Sequence, residues 1–307
     1  MDTGIVRALY REAGFRLLGM IQQGIEMKAI HKPAPLIVLG ALIFALISSA
    51  RAAETGFLDR TLKIGNETYR YQVYVPRDWT KGQKWPVILF LHGAGERGDD
   101  GLVQTEVGVG GAIRRHFDRF PAIVVMPQCR KGRWWTEDAM QEQALKAFEQ
   151  SVKEFNGDPD RFYLTGLSMG GYGTWSVASK HPGKFAALVP ICGGIRPPPS
   201  VNVPGANQVA DPNVDPYAAA ARKIGKTPVW IFHGGADPVV PPDESRKMNE
   251  ALKAAGGNVK YNEYEGVGHN SWDKAYAEPE LMKWILSQSL KTVDSTILRN
   301  TNKESRK

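Results

Sequence analysis

The chain has 307 residues, 42% of them hydrophobic, which is ordinary for a globular protein and ample for one large α/β domain or two small ones. Its net charge of +7 is concentrated at the ends: residues 1–52 contribute +3, residues 291–307 contribute +3, and residues 53–290 only about +1. The basic balance is therefore no argument for nucleic-acid binding.

The N-terminus reads as a targeting segment, 1–52. Residues 27–32 form a basic n-region, residues 36–47 an apolar h-region of twelve residues, and Ala50-Arg51-Ala52 supplies the small residues a signal peptidase requires. Cleavage is expected after Ala52, giving an exported, periplasmic or secreted protein. The apolar run is shorter than the ~20 residues of a spanning helix, so no stable membrane insertion is expected after cleavage. No cysteine lies near the cleavage point, which argues against a lipid anchor. Twenty-six residues precede Met27, so Met27 is expected to be the initiator, the alternative being a long n-region from Met1.

Beyond the leader, residues 57–64 and 67–75 read as a hairpin turning at Gly65-Asn66, with alternation in Tyr69, Tyr71, Val73 and Val75. Residues 85–91 form a continuous apolar run, the mark of a central parallel strand covered on both faces. A helical pattern follows at 111–120, a buried strand at 122–126, and a long amphipathic helix at 137–155 that Thr136 can cap. A strand from Arg161 leads into Gly166, and a helix runs on to Lys180. A strand at 185–191 precedes an aperiodic, proline-rich insertion, 193–226, with one short helix at 216–222. A strand at 228–232, a helix at 243–255, a strand at 259–265 and a final helix at 272–289 complete the domain, 53–290, before a polar, basic tail, 291–307. Alternating strands and helices imply a mostly parallel sheet with helices on both faces and an antiparallel start. The two cysteines, Cys129 and Cys192, each follow a strand. With two strands between theirs they stand ~14 Å apart, too far for a disulfide. No Cys-x-x-Cys or His-x-x-x-His spacing marks a metal site.

The chemistry centres on Gly166-Leu167-Ser168-Met169-Gly170, placed between a strand and a helix. That context makes the pattern a nucleophile elbow, whose flanking glycines avoid collisions at a sharp turn; otherwise it is merely a Gly- and Ser-rich link. A serine hydroxyl needs a base to take its proton, and the base needs an orienting group. Of six histidines, His31 lies in the leader, His116 on a charged helical face and His181 at a helix end. His92 and His233 each close a strand before glycine, where buried structural histidines are common. His269, in the loop after the last strand, is downstream of both the serine and a well-placed carboxylate, Asp237. Asp211, Asp215 and Asp243 are rivals, but they fall in the insertion or at a helix start, where a solvated or N-cap role fits. The oxyanion donors expected are the backbone N–H groups of Met169 and of Ala94, with Gly95 the fallback. Glu96 and Arg97 are candidate substrate contacts, with an internal ion pair the more expected role. Trp134, Trp135 and Trp272 are candidate walls of a substrate pocket, whereas Trp175 reads as core.

Four motifs occur in a family order: His92-Gly-Ala-Gly-Glu-Arg-Gly98, Leu164-Thr-Gly-Leu-Ser-Met-Gly-Gly-Tyr-Gly-Thr-Trp175, His233-Gly-Gly-Ala-Asp-Pro-Val-Val-Pro241 and Gly268-His-Asn-Ser-Trp272. On them the chain resembles secreted α/β-hydrolases of the phospholipase/carboxylesterase and predicted-peptidase group. Their relatives include acyl-protein thioesterases, feruloyl esterases and polyhydroxybutyrate depolymerase-like esterases. The resemblance implies an α/β-hydrolase fold and hydrolysis of a small-molecule or polymer-linked ester through an acyl-enzyme, with no cofactor or metal. It leaves the substrate and the oligomeric state open. A serine peptidase acting on short peptides is the second reading, and a non-catalytic binding relative the third.

Overall fold

The protein is described from a computed structural model covering residues 54–197 and 214–291. The leader with its cleavage point, residues 198–213 of the expected insertion (Asp211 among them) and the tail beyond 291 lie outside the described residues.

Eight strands form one sheet in the order β1-β2-β4-β3-β5-β6-β7-β8. They are β1 (Gly56–Ile64), β2 (Glu67–Val75), β3 (Trp85–Leu91), β4 (Ile123–Pro127), β5 (Gly157–Leu167), β6 (Ala187–Ile191), β7 (Val229–Gly234) and β8 (Val259–Tyr264). The pairs β1–β2 and β2–β4 are antiparallel, and every other pairing is parallel. The expected α/β-hydrolase sheet with its antiparallel entrance is therefore the observed one. Strands β3, β4, β6 and β7 are buried at every position, and β5 is buried over its last five residues.

The two-residue period of a strand divides these apolar runs between the two faces of the sheet. Val87, Leu89 and Leu91 of β3 join one core, with Ile123 and Val125 of β4 and Val229 and Ile231 of β7. Ile88 and Phe90 join the other, with Val124, Met126, Trp230 and Phe232. The first face is covered by α2 (Asp138–Glu154), α3 (Met169–Lys180), α4 (Pro216–Ile224) and α5 (Asp243–Ala254). The second is covered by α1 (Val109–Arg115), α6 (Trp272–Ala277) and α7 (Leu281–Leu286). Truncating a central side chain such as Leu89 to Ala would cost about 2–5 kcal/mol.

Several expected boundaries move, each for a local reason. The final helix is two helices, because Glu278 before Pro279 is forced out of the helical region to φ −53°, ψ 118°. The helix expected at 111–120 stops at Arg115 and continues as a 3-10 turn, Phe117–Arg119. The N-cap of α2 is Glu137, in extended conformation, rather than Thr136. Asn156, at φ 55°, ends the helical path after α2, and β5 begins at once with Gly157, four residues before the expected strand. The short helix of the insertion is present and runs two residues further, to Ile224. Cys129 and Cys192 are free and buried, with β3 and β5 between their strands.

Candidate active site

The chain after β3 crosses to β4 on one side, whereas β5 lies on the other, so the carboxyl ends of β3 and β5 flank a topological switch point. Ser168 follows β5 there as the residue before α3, with φ 51° and ψ −118°. That backbone is strained for a residue with a side chain and is held by its neighbours. The Ser168 N–H donates to the Ile191 carbonyl at 2.9 Å, and its own carbonyl accepts from the amides of Gly171 (2.8 Å) and Tyr172 (3.1 Å). A methyl group on Gly166 would strike the Gly170 carbonyl, and one on Gly170 the Leu91 carbonyl. Both glycines are therefore steric requirements of the turn, as expected of an elbow.

His269 Nε2 lies 2.9 Å from Ser168 Oγ, and His269 Nδ1 lies 2.7 Å from Asp237 Oδ2. The three side chains form one hydrogen-bonded row across residues 101 and 32 positions apart. The Asp237 carboxylate is fully buried, whereas the imidazole keeps 19% of its surface. Its other oxygen, Oδ1, accepts from the amides of Val239 (2.8 Å) and Val240 (3.0 Å). Burial alone would push this carboxyl up. Hydrogen bonds from His233, His269 and the two amides outweigh it and hold the group well below the usual carboxylate range. The acid loop is tied to the histidine loop through backbone bonds from Gly235 to Tyr264 (2.8 Å) and from Ala236 to Val267 (2.9 Å). Gly234 permits that approach, since a methyl group there would meet the Val267 and Gly268 carbonyls. The Trp272 ring stands edge-on to His269 with centroids 5.4 Å apart.

The rival acids among the described residues, Asp215 and Asp243, are engaged elsewhere. Asp215 caps α4 by accepting from the Tyr217 amide at 3.1 Å, and Asp243 pairs with Arg246 at 2.7 Å. Of the other histidines, His92 is fully buried, donating from Nδ1 to Gly93 O (2.6 Å) and accepting at Nε2 from the Cys129 amide (2.9 Å). Burial lowers its pKa to about 4, so it is a neutral structural residue, as expected. Met169 opens α3, and Ala94 opens a 3-10 turn, Ala94–Glu96, so both amides sit where a helix supplies no partner.

Two expectations are corrected. Trp135 is fully buried with its Nε1–H donated to the His92 carbonyl at 2.9 Å, so it packs the core beneath the site and cannot wall a pocket. Arg97 donates to the Ala94 carbonyl at 2.9 Å and stands over the Trp134 ring at 5.9 Å. Among the described residues it makes no ion pair with Glu96, whose half-buried carboxyl is pushed up by desolvation. Trp134 and Trp272 remain partly exposed.

Other neighbours of the site escaped sequence reasoning. Glu244, at the start of α5, accepts from the amides of Ile195 (2.8 Å) and Arg196 (3.0 Å) and from the Tyr217 hydroxyl (2.6 Å), tying the described ends of the insertion to the helix that follows the acid loop. Cys192, at φ 39°, brings a buried sulfur within 4.8 Å of ligand atoms of Asp237 and His269. This is the group with metal-ligating spacing among the described residues. Burial pushes the thiol up to about 12, and the other two members bond to each other.

Relatives of known sequence and structure match this architecture. A solved thermostable esterase superposes with a TM-score of 0.64 at 34% identity, over 76% of this chain and 63% of that one. Acyl-protein thioesterase 1 of Candida albicans is 26% identical over 223 residues, 62% of this chain and 87% of the thioesterase. An uncharacterized secreted protein of Arthroderma benhamiae is 26% identical over 212 residues, 62% of this chain but only 22% of that protein. The profile of the dienelactone hydrolase family matches residues 125–279, the stretch that holds Ser168, Asp237 and His269. That match covers half of the sequence and spans the last three of the four motifs read above: the chain belongs to the dienelactone hydrolase family.

Proposed function

We propose that the protein is a serine carboxylic-ester hydrolase that works through an acyl-enzyme. The observation supporting this reading most directly is the row Ser168 Oγ–His269 Nε2–Asp237 Oδ2, with hydrogen-bond lengths of 2.9 and 2.7 Å. His269 Nε2 takes the proton as Ser168 Oγ bonds to the ester carbonyl carbon, and the amides of Met169 and Ala94 receive the oxyanion. Collapse of that adduct breaks the ester C–O bond, and the imidazolium returns its proton to the departing alcohol. Water then enters with His269 again as base and releases the acid. Asp237, held ionised, keeps the Nδ1–H tautomer in place and stabilises the imidazolium. Trp134 and Trp272 form the aromatic walls. The substrates are small-molecule or polymer-linked esters outside the cytoplasm, in keeping with the leader read in the sequence and with the relative named a secreted protein. No helix among the described residues is long and apolar enough to cross a membrane.

A panel of p-nitrophenyl esters and peptide anilides, run on wild type and on Ser168→Ala, tests the proposal. Ester turnover that vanishes in the variant is the expected result. Turnover that survives would overturn the assignment, and anilide turnover exceeding ester turnover would transfer it to a peptidase of short peptides.

A further inference from the structure

Asp237 serves two histidines. His233, on β7 and fully buried, places Nε2 3.2 Å from Asp237 Oδ2, the same oxygen that His269 Nδ1 reaches at 2.7 Å. His233 Nε2 also lies 3.0 Å from the Val240 carbonyl, while Nδ1 lies 2.7 Å from Ser245 Oγ on α5. Both groups facing Nε2 are acceptors, so Nε2 carries the proton. The Ser245 hydroxyl satisfies the bare Nδ1 by donating to it, and the neutral Nε2–H tautomer then meets every contact. The carboxylate is thereby saturated: two amides on Oδ1, two imidazoles on Oδ2. The other ionisable groups acting on this cluster are Cys192 at the end of β6, Tyr172 on α3 and Glu263, opposite His233 on β8.

We propose that His233, its tautomer fixed by Ser245, is a positioning residue for the acid of the triad. It holds Oδ2 in line with His269 Nδ1 and draws negative charge from the carboxylate, thereby setting the basicity of the catalytic imidazole. A second donor on an anionic oxygen weakens that oxygen's pull on the first. Without His233 the carboxylate binds the His269 imidazolium more strongly and turns more freely. His269 should then become harder to deprotonate and less well aimed. The inference rests on the triad reading, but its physical core is a coupling that requires no turnover to measure.

The test is an NMR titration of the His269 imidazole in the wild-type protein, His233→Phe and His233→Gln, with near-UV circular dichroism to confirm packing. In His233→Phe the midpoint is expected to rise by about half a unit or more, and the acid limb of kcat/KM to move with it. On the proposed ester substrates kcat should fall roughly tenfold with KM within about twofold, since alignment rather than binding is lost. His233→Gln, whose amide N–H can replace the lost donor, should recover part of the shift. A packed His233→Phe protein with an unmoved midpoint, or a Gln variant no different from Phe, overturns the proposal. Should the Phe variant not fold, Ser245→Ala carries the test, with a smaller upward shift expected and no shift overturning it. A midpoint shift in a protein that hydrolyses no ester upholds the coupling and refutes the enzyme reading instead.

Discussion

The two halves of the candidate site are built by different means. Ser168 is held by shape: a left-handed backbone, carbonyls packed against bare glycine carbons, and main-chain hydrogen bonds that fix the turn while its hydroxyl faces His269. Asp237 is held by polar contacts, with four donors on one buried carboxylate and a loop laced to its neighbour through backbone bonds. Shape admits no intermediate, because a methyl group either fits or drives the strand from the helix. A hydrogen-bonded anion loses its partners one at a time. The nucleophile arm should therefore fail as a fold and the acid arm should fail by degrees.

The largest effect should come from Gly170→Ala, which forces a methyl group into the Leu91 carbonyl on the adjacent central strand. A loss of roughly 4–5 kcal/mol or more is expected, read as failure to express solubly or a collapsed denaturation midpoint. A variant as stable as wild type would break the comparison at its first term. Asp237→Asn should instead leave a folded protein whose kcat on esters drops on the order of 10⁴-fold, because the amide favours the wrong tautomer of His269. Chemical denaturation beside steady-state kinetics separates the two outcomes.

His92 sharpens the contrast through pH. Burial depresses its pKa from 6.5 to about 4, so between those values the unfolded chain takes up a proton that the fold refuses. Its contribution is complete above the unfolded value and declines as pH drops toward 4, by up to about 3 kcal/mol in unfolding free energy. Urea melts across pH 4 to 7 should show that slope, and His92→Gln, less stable at neutral pH, should flatten it. The smallest effect belongs to Glu244→Gln. The amide oxygen still accepts from Ile195 and Arg196, so about 1 kcal/mol is expected from loss of the charge-assisted part. Equal stability of this variant and wild type would show that the charge on Glu244 adds nothing to the tie.

Strands were legible where burial wrote them. The limits of β2 and β3 follow from alternation and from a continuous apolar run, and both ends of each match the sequence reading. Two of the boundaries that moved did so at residues whose effect is conformational: Asn156 in the left-handed region and Glu278 before a proline. Ser168, Asp237 and His269 could be picked out because each carries a local signal: the Gly-x-Ser-x-Gly turn between strand and helix, a carboxylate just past a strand end, and the histidine downstream of both. Trp135 could not be separated from Trp134 by type or position, since only the packing beneath Gly173 assigns it to the core. The role of His233 was hidden because its position at the end of a buried strand explained it adequately as core. Its one clue was the four-residue spacing to Asp237, at the point where the strand gives way to a tight loop.

The most direct measurement is the mass of the peptide that carries a fluorophosphonate adduct after the folded protein reacts with the probe. A nucleophile activated by His269 predicts a single modified residue, Ser168, with labelling abolished in His269→Ala. An adduct on any other side chain, or none on a protein that is demonstrably folded, would contradict the account at its centre.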